Sequence, residues 1–388
     1  MVVPPHATLE SMSHTRIGSF NVENMFERPK VMGRNATKHA APVLAAHARF
    51  NELIALETYT PEVKEELREN LVTLELLRND RSKYAILRRI RGRFLARHRT
   101  GETSVVASGR ESWVGWVELT TEPISELATR HTAQVMRDVG AHVLGVVEAE
   151  SRELLHMFSA SMLKHVGWTP YEEVHLIDGN DERGINVGLL TRDAHEVITI
   201  RTHVYARDTS GVIFSRDCAE YHVRTPFGPE VVVLVNHLKS KGYGSPGDPI
   251  GARRRFRQAV RIARIVNRLR DEGHEYIAVV GDLNDTADSE ALRPLFQRTG
   301  LRDISEHPDF EWDHRLGTYR GVNQKGKIDY VLLSPSLFAK AVGGGVFRKG
   351  VWRGPRTKNR WDVYETMTNE VHAASDHAAI YADIDWSL

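Results

Sequence analysis

The chain is expected to fold as an α/β protein, in which short buried strands alternate with amphipathic helices, interrupted near the N-terminus by a stretch of helical periodicity. Three observations carry that expectation. Apolar runs of strand length, rich in Val and Ile, recur from residue 142 almost to the end. Residues 252–270, ARRRFRQAVRIARIVNRLR, space their apolar positions three and four apart with arginines between them. Residues 30–110 lack the strand-like runs and read instead as a helical insertion.

Composition narrows the class. With 388 residues, 41% of them hydrophobic and 27% charged, the chain can bury a large core, which excludes disordered and collagen-like classes. The balance of 52 Lys+Arg against 51 Asp+Glu gives a net charge of +1, so any attraction to a polyanion must come from a local patch. Cys218 is the single cysteine, which suits a reduced compartment and a buried strand position. No run has the roughly 18–20 apolar residues of a membrane span, and MVVPPHATLESMSH has neither a basic start nor an apolar stretch for export. A cytoplasmic protein without integral membrane contact is the expectation.

Taken in order, RIGSFNVE (16–23) reads as a strand with a polar end. Helices are expected over 41–58, 61–79 and 82–99. In the second, Val63, Leu67, Leu71, Leu74 and either Leu76 or Leu77 share a face, and Pro61 behind Thr60 suits a helix start because its missing N–H has no partner there. The third, RSKYAILRRIRGRFLARHR, turns Tyr84, Leu87, Ile90 or Arg91, Phe94 and Leu95 inward; its arginines form either a solvated face or a phosphate contact. WVGW at 113–116 reads as core. Strands follow in HVLGVVE, INVGLLTR, EVVVLVNH, EYIAVVGDLND, KIDYVLLS and HAAIYADI. AEYHVR and EVVVLVNH flank the Pro and Gly of TPFGPE and form a hairpin. The 252–270 helix packs Phe256, Ala259 or Val260, Ala263, Val266 and Leu269 on a sheet, arginines outward.

The chemistry lies where these runs stop. Glu148 follows HVLGVV, Asn236 and His237 follow VVVLV, Asp282 and Asn284 follow YIAVVG, Asp329 precedes YVLL, and Asp376 and His377 precede AAIYADI. Packing alone rarely places charge at strand ends, since each group must be hydrated or paired. Taken singly, these are turn residues, caps and structural histidines. Taken together, they are what a sheet gathers into one cleft.

In order, FNVEN with Asn21, VVEAE with Glu148, RGINV from Arg183, NHLKSK, GDLND, IDYVLLS and SDH resemble the motif series of the endonuclease/exonuclease/phosphatase superfamily. The likeness covers residues 16–28 and about 130–386. It implies the deoxyribonuclease I-like fold: a four-layer α/β/β/α sandwich of two mixed sheets, here one catalytic domain over 1–388 carrying the 30–110 insertion, with a metal site in the loops at one end.

Oxygen donors beside imidazoles, with no thiolate, suit Mg²⁺ or Mn²⁺ rather than zinc. Asn21, Glu148 and Asp376 are the expected cation ligands. His237, Asp282, Asn284, Asp329 and His377 are the expected catalytic group: Asp282 and Asn284 hold the attacking water, Asp329 orients His377, and His237 protonates the leaving oxygen. Asp282 and His377 compete as general base. Asn186 stands where many relatives have the acidic residue of RGID. Arg183, Asn236, Lys239, Arg353 and Arg356 are the expected substrate contacts. In KGVWRGPRTKNRWD (349–362), arginines lie between Trp352 and Trp361, which either meet nucleic acid or pack down as a loop. The leading expectation is a Mg²⁺-dependent phosphodiesterase, a nuclease acting on DNA or RNA. The alternatives are a phosphomonoesterase or lipid-headgroup phosphodiesterase, and a catalytically dead binding module.

Overall fold

The computed structural model describes residues 13–25, 40–98, 102–120, 125–181, 184–242, 247–313, 315, 317–320, 326–354 and 361–388. The chain divides into two compact units, one comprising Met1–Phe26 and Ser125–Leu388, the other Glu27–Ile124. Among the described residues no helix is long and apolar enough to cross a membrane.

The first unit begins with β1 (His14–Met25). The second contains α1 (Ala40–Leu53), α2 (Pro61–Thr73), β2 (Ala85–Gly92), β3 (Leu95–Arg97), β4 (Thr103–Val105) and β5 (Trp113–Leu119). The first unit then resumes with α3 (Glu126–Val139), β6 (Val143–Ala149), α4 (Arg152–Phe158), β7 (Glu173–Ile177), β8 (Asn186–Thr191), β9 (Glu196–Arg201), β10 (Arg207–Asp208), β11 (Gly211–Val212), β12 (Cys218–Arg224) and β13 (Glu230–His237). It closes with α5 (Ala252–Asp271), β14 (Ile277–Asp282), α6 (Arg293–Thr299), β15 (Arg302–Asp303), β16 (Phe310–Glu311), β17 (Asp329–Leu333), α7 (Pro335–Phe338), β18 (Ala341–Phe347) and β19 (Ala379–Asp385).

Two mixed sheets dominate the first unit. One has seven strands in the order β16-β18-β19-β1-β6-β8-β7, the other six in the order β15-β17-β14-β13-β12-β9. Ile17, Val147 and Val187 of the first sheet pack against Tyr221, Val233, Val235, Val280 and Val331 of the second. Gly145 keeps the sheets close there, because a Cβ at this position would lie 2.7 Å from Cγ2 of Val280. On the outer face of the first sheet, Phe20, Leu144 and Val146 meet Met136 of α3 and Leu155 of α4. On the outer face of the second, Val232, Leu234 and Val279 meet Ile262 and Val266 of α5 and Leu295 of α6. This is a four-layer α/β/β/α sandwich. Burial on both faces explains why VVVLV and IAVV are unbroken apolar runs rather than alternating ones.

The hairpin forms as expected, with His222 of β12 opposite Val232 of β13. Cys218 lies fully buried on β12. On α5 the expected face holds at Ala259, Ala263, Val266 and Leu269 but not at its first position: Phe256 is exposed, whereas Arg255 is buried and bonds Asp285 and the carbonyls of Lys239 and Ile250. One arginine therefore points inward, where a carboxylate and two carbonyls satisfy it.

In the second unit, the Thr60 hydroxyl accepts the Val63 N–H and caps α2, whose Leu67 and Leu71 are buried. The helix stops at Thr73, and Leu76 rather than Leu77 is fully buried. The expected third helix does not exist. Residues 85–92 form a strand antiparallel to β5, with Ala85 opposite Leu119 and Arg88 opposite Trp116. Pairing with WVGWVEL overrides a helical pattern that its arginines left ambiguous. Trp113 is buried against Phe94, with ring centroids 4.3 Å apart, while Trp116 is exposed. Three residues along a strand reverse the face. The segment expected as a helical insertion is therefore a mixed helix-and-strand unit.

Candidate active site

Strand register builds one side of the site. His237 ends β13 and pairs with Asp282, which ends β14; Asp282 in turn pairs with Asp329, which begins β17. Paired residues project to the same face. By the two-residue period that face also carries Val235, Val280 and Val331, so the three polar groups sit at the rim of the inter-sheet core. Gly281 precedes Asp282 because any Cβ there would lie 1.9 Å from the Asn236 carbonyl oxygen, and its φ of +130° suits glycine.

The opposite sheet supplies Asn21 and Glu148. Asn21 shares the inward face of β1 with Ile17, is buried, and donates through Nδ2 to Oδ2 of Asp282 at 3.2 Å. Strict alternation would send Glu148 outward with Leu144 and Val146. Instead the register of β6 shifts between Val147 and Ala149 against both neighbouring strands, and Glu148 adopts φ 66°. This bulge aims the carboxylate inward, to 3.7 Å from Nε2 of His237. The same nitrogen lies 3.7 Å from Oδ2 of Asp282.

His377 completes the cluster from the turn before β19. Its Nδ1 faces Oδ2 of Asp329 at 2.9 Å, and its Nε2 faces Asp282 at 3.9 Å and Asp376 at 3.8 Å. Asn284, at φ 55°, donates its backbone N–H to Oδ1 of Asp282 at 2.8 Å and its amide to Oδ2 at 3.2 Å.

Electrostatics follow from these distances. Burial, and next the charge of Asp329, push the Asp282 carboxyl up to about 7, against the opposing pull of His377. Burial works against a charged His377, but the Asp329 carboxylate, with Asp282 and Asp376 behind it, holds the imidazole well above its ordinary value. The site therefore sets a carboxyl raised toward neutral pH beside an imidazole held toward its charged form.

Three expected substrate contacts are not brought into this cluster, and Asp376 is only half turned to it. Asn236, adjacent to His237 on β13, points to the α5 side, is fully buried and donates to the Leu234 carbonyl. Lys239 lies in the loop beyond β13, half-buried, its backbone N–H bonded to Gln258. Arg353 donates to the Trp361 carbonyl, and Trp352 and Trp361 are half-buried, each packed against a core cluster, so the described part of 349–362 has tryptophans that pack down. Asp376, expected on a cation, turns Oδ2 to Arg320 Nε at 2.8 Å. Arg183 and Arg356 lie outside the described residues. Asn186 pins loops together: it accepts the Gly179 N–H and donates to the Glu150 carbonyl.

Other residues escaped the sequence reading. Thr318 donates its hydroxyl to Oδ2 of Asp329 at 2.6 Å. Ser375 donates to the Asn21 carbonyl and accepts the His377 N–H. Glu23 accepts the Asp376 N–H, and the Tyr319 ring lies 4.8 Å from that of His377. Ser375 sits inside the SDH motif and could have been found there; Thr318, Tyr319 and Arg320 lie in a loop that no periodicity marks.

The donor set suits a hard divalent cation. Three carboxylates, the partly exposed Glu148 and the buried Asp282 and Asp329, gather with the Asn21 amide and without a thiolate. Asp282, Asp329 and His377 each place one ligand atom within 4.8 Å of the others. Asp282 and Asp329 are already engaged by hydrogen bonds, whereas the Glu148 side chain is 17% exposed and reaches the open edge. Glu148, with Asn21 beside it, is thus the best placed to hold the ion.

The Endonuclease/Exonuclease/phosphatase family profile matches residues 102–308, an interval that holds Glu148, His237, Asp282 and Asn284. No curated protein matches the chain. Among solved structures, an endonuclease/exonuclease/phosphatase family protein from Bacteroides thetaiotaomicron is 17% identical, covering 68% of this chain and 89% of its own, with a TM-score of 0.48. A mannosyl-6-phosphatase from the same organism is 16% identical over 66% of this chain and 90% of its own, at TM-score 0.48. The human Nocturnin catalytic domain is 13% identical over 68% and 87%, at 0.45.

Proposed function

The chain belongs to the endonuclease/exonuclease/phosphatase family, whose members hydrolyse phosphoester bonds, and from that premise we propose that it is a Mg²⁺- or Mn²⁺-dependent phosphodiesterase cutting DNA or RNA. The observation that carries the proposal is the in-register row His237, Asp282, Asp329 with His377 closing over it.

A divalent ion held by Glu148 and Asn21 supplies positive charge to the phosphate and its developing oxyanion. The protein groups then divide the proton work. Asp282, fixed by Asn284 and Asn21, has a carboxyl tuned near neutrality and is the base that takes a proton from the attacking water. His377, held toward its charged form by Asp329, is a donor to phosphate rather than a second base in this reading, which favours Asp282 of the two candidates. His237, within 4 Å of both Glu148 and Asp282, is the acid for the leaving alkoxide, the group a diester needs and a good leaving group does not.

The test is a panel of plasmid DNA, RNA, an inositol monophosphate and a sphingophospholipid, each with Mg²⁺, Mn²⁺ or chelator, and with His377→Ala as control. Metal-dependent cleavage of a nucleic acid, abolished in the variant, supports the assignment. Turnover confined to the monoester or the lipid replaces it with the corresponding alternative, and metal-insensitive turnover removes the cation.

A further inference from the structure

Far from His237, the outer face of the six-stranded sheet carries a second group of titratable side chains. Glu230 begins β13 and His237 ends it, seven residues on (237 − 230), so roughly 23 Å separates them at strand rise. Glu220 and His222 on β12 pair with Leu234 and Val232, residues of the α5-facing core, and Glu230 shares their side. His274 lies in the turn that leaves α5.

Their atoms converge. Nδ1 of His222 is 2.6 Å from Oε1 of Glu230, and Nδ1 of His274 is 3.3 Å from the same oxygen. One ligand atom from each of the three lies within 4.8 Å of the others, and the two imidazole centroids are 4.9 Å apart. The other nitrogen of His222, Nε2, contacts Oε1 of the fully buried Glu220 at 3.2 Å. Glu220 is itself held by His203 at 2.8 Å, Arg268 at 2.5 Å and Arg201 at 3.6 Å.

We propose that His222, Glu230 and His274 form a zinc-type site, remote from the catalytic cleft, that takes a borderline divalent transition-metal ion and ties β12, β13 and the α5–β14 turn together. Two imidazoles and one carboxylate are a nitrogen-rich set that favours zinc over magnesium. A buried carboxylate on the far nitrogen of a histidine fixes the ring and raises the basicity of the near one, as outer partners of metal-bound histidines do. Ligands around a tetrahedral zinc stand about 3.3–3.5 Å apart, the spacing His274 and Glu230 already have, so the Glu230 carboxylate need withdraw from His222 by less than ~1 Å. The side chains of Glu230 and His274 are 32% and 28% exposed, which leaves a way in for the ion and an open position for water.

The test uses the full-length protein stripped of metal and then saturated with Mg²⁺. Co²⁺ serves as a spectroscopic probe and Zn²⁺ as a stabiliser in thermal melts. Wild type should bind one more equivalent of Co²⁺ than His274→Ala, with visible d–d bands absent from the variant, and Zn²⁺ should raise the melting temperature of wild type but not of His274→Ala. His274→Cys, which restores a zinc ligand, should regain the Zn²⁺-dependent rise, and Glu220→Gln should weaken Zn²⁺ binding about 10–100-fold. Phosphoester hydrolysis in Mg²⁺ should be the same in wild type and both His274 variants. Identical Co²⁺ and Zn²⁺ titrations for wild type and His274→Ala, or no extra Co²⁺ in either, would overturn the site.

Discussion

Asp282 and Asp329 face each other directly across the antiparallel pair β14 and β17, both buried, two like charges at one rung of a sheet. Burial, and next the repulsion within this pair, holds the Asp282 carboxyl up to about 7.

That raised value has a linkage consequence. The folded value of Asp282 is raised above its ordinary 3.8, so its contribution to stability is fully present below about pH 4 and is lost as pH rises through about 7. Asp282→Asn removes the loss. In chelator the variant should melt higher than wild type at about pH 8, with the difference vanishing near about pH 4, while hydrolysis is abolished. Melting curves across that range check it, and an unstabilised Asn variant at the alkaline end would show that Asp282 ionises freely.

Asp329→Asn should act on both neighbours. It removes the negative charge that raises Asp282 and that holds the imidazole of His377 toward its charged form, so both values fall. The acid limb of the pH–rate profile should move to lower pH, and the plateau should drop about 10²–10³-fold. A lower plateau with an unmoved limb would separate Asp282 from the essential base.

His237→Ala should discriminate between leaving groups. For an alkyl diester, the loss of a positioned acid should cost about 10²–10⁴ in kcat. For a nitrophenyl ester, whose leaving group departs without a proton, the loss should be much smaller. Equal losses on both substrates would make His237 a phosphate contact instead.

Trp113 is the central aromatic of the Glu27–Ile124 unit, packed on Phe94. Trp113→Ala should destabilise that unit by about 3–5 kcal/mol. Hydrolysis of a small bis-aryl phosphate should persist after the unit has unfolded, read by parallel melting and activity assays. Simultaneous loss of both would mean that the two units fold as one.

Local chemistry made much of this legible. His237, Asp282 and Asp329 announce themselves because each interrupts an apolar run, and strand identity follows from Val and Ile content. Register does not announce itself, since it depends on partners far along the chain; no sequence rule places Asp282 opposite Asp329, although strand alternation does separate Asn236 from His237. Residues 85–92 were misread for the same reason: their partner, β5, lies beyond a turn and a second hairpin. Thr318 and Arg320 act through single hydrogen bonds from an irregular loop, which leaves no periodic trace.

The irregularity at Glu148 shows how reactivity can be one step out of phase with architecture. Excising a single residue beside it would restore the pleat of β6 and turn the carboxylate toward the helices, away from His237 and Asp282.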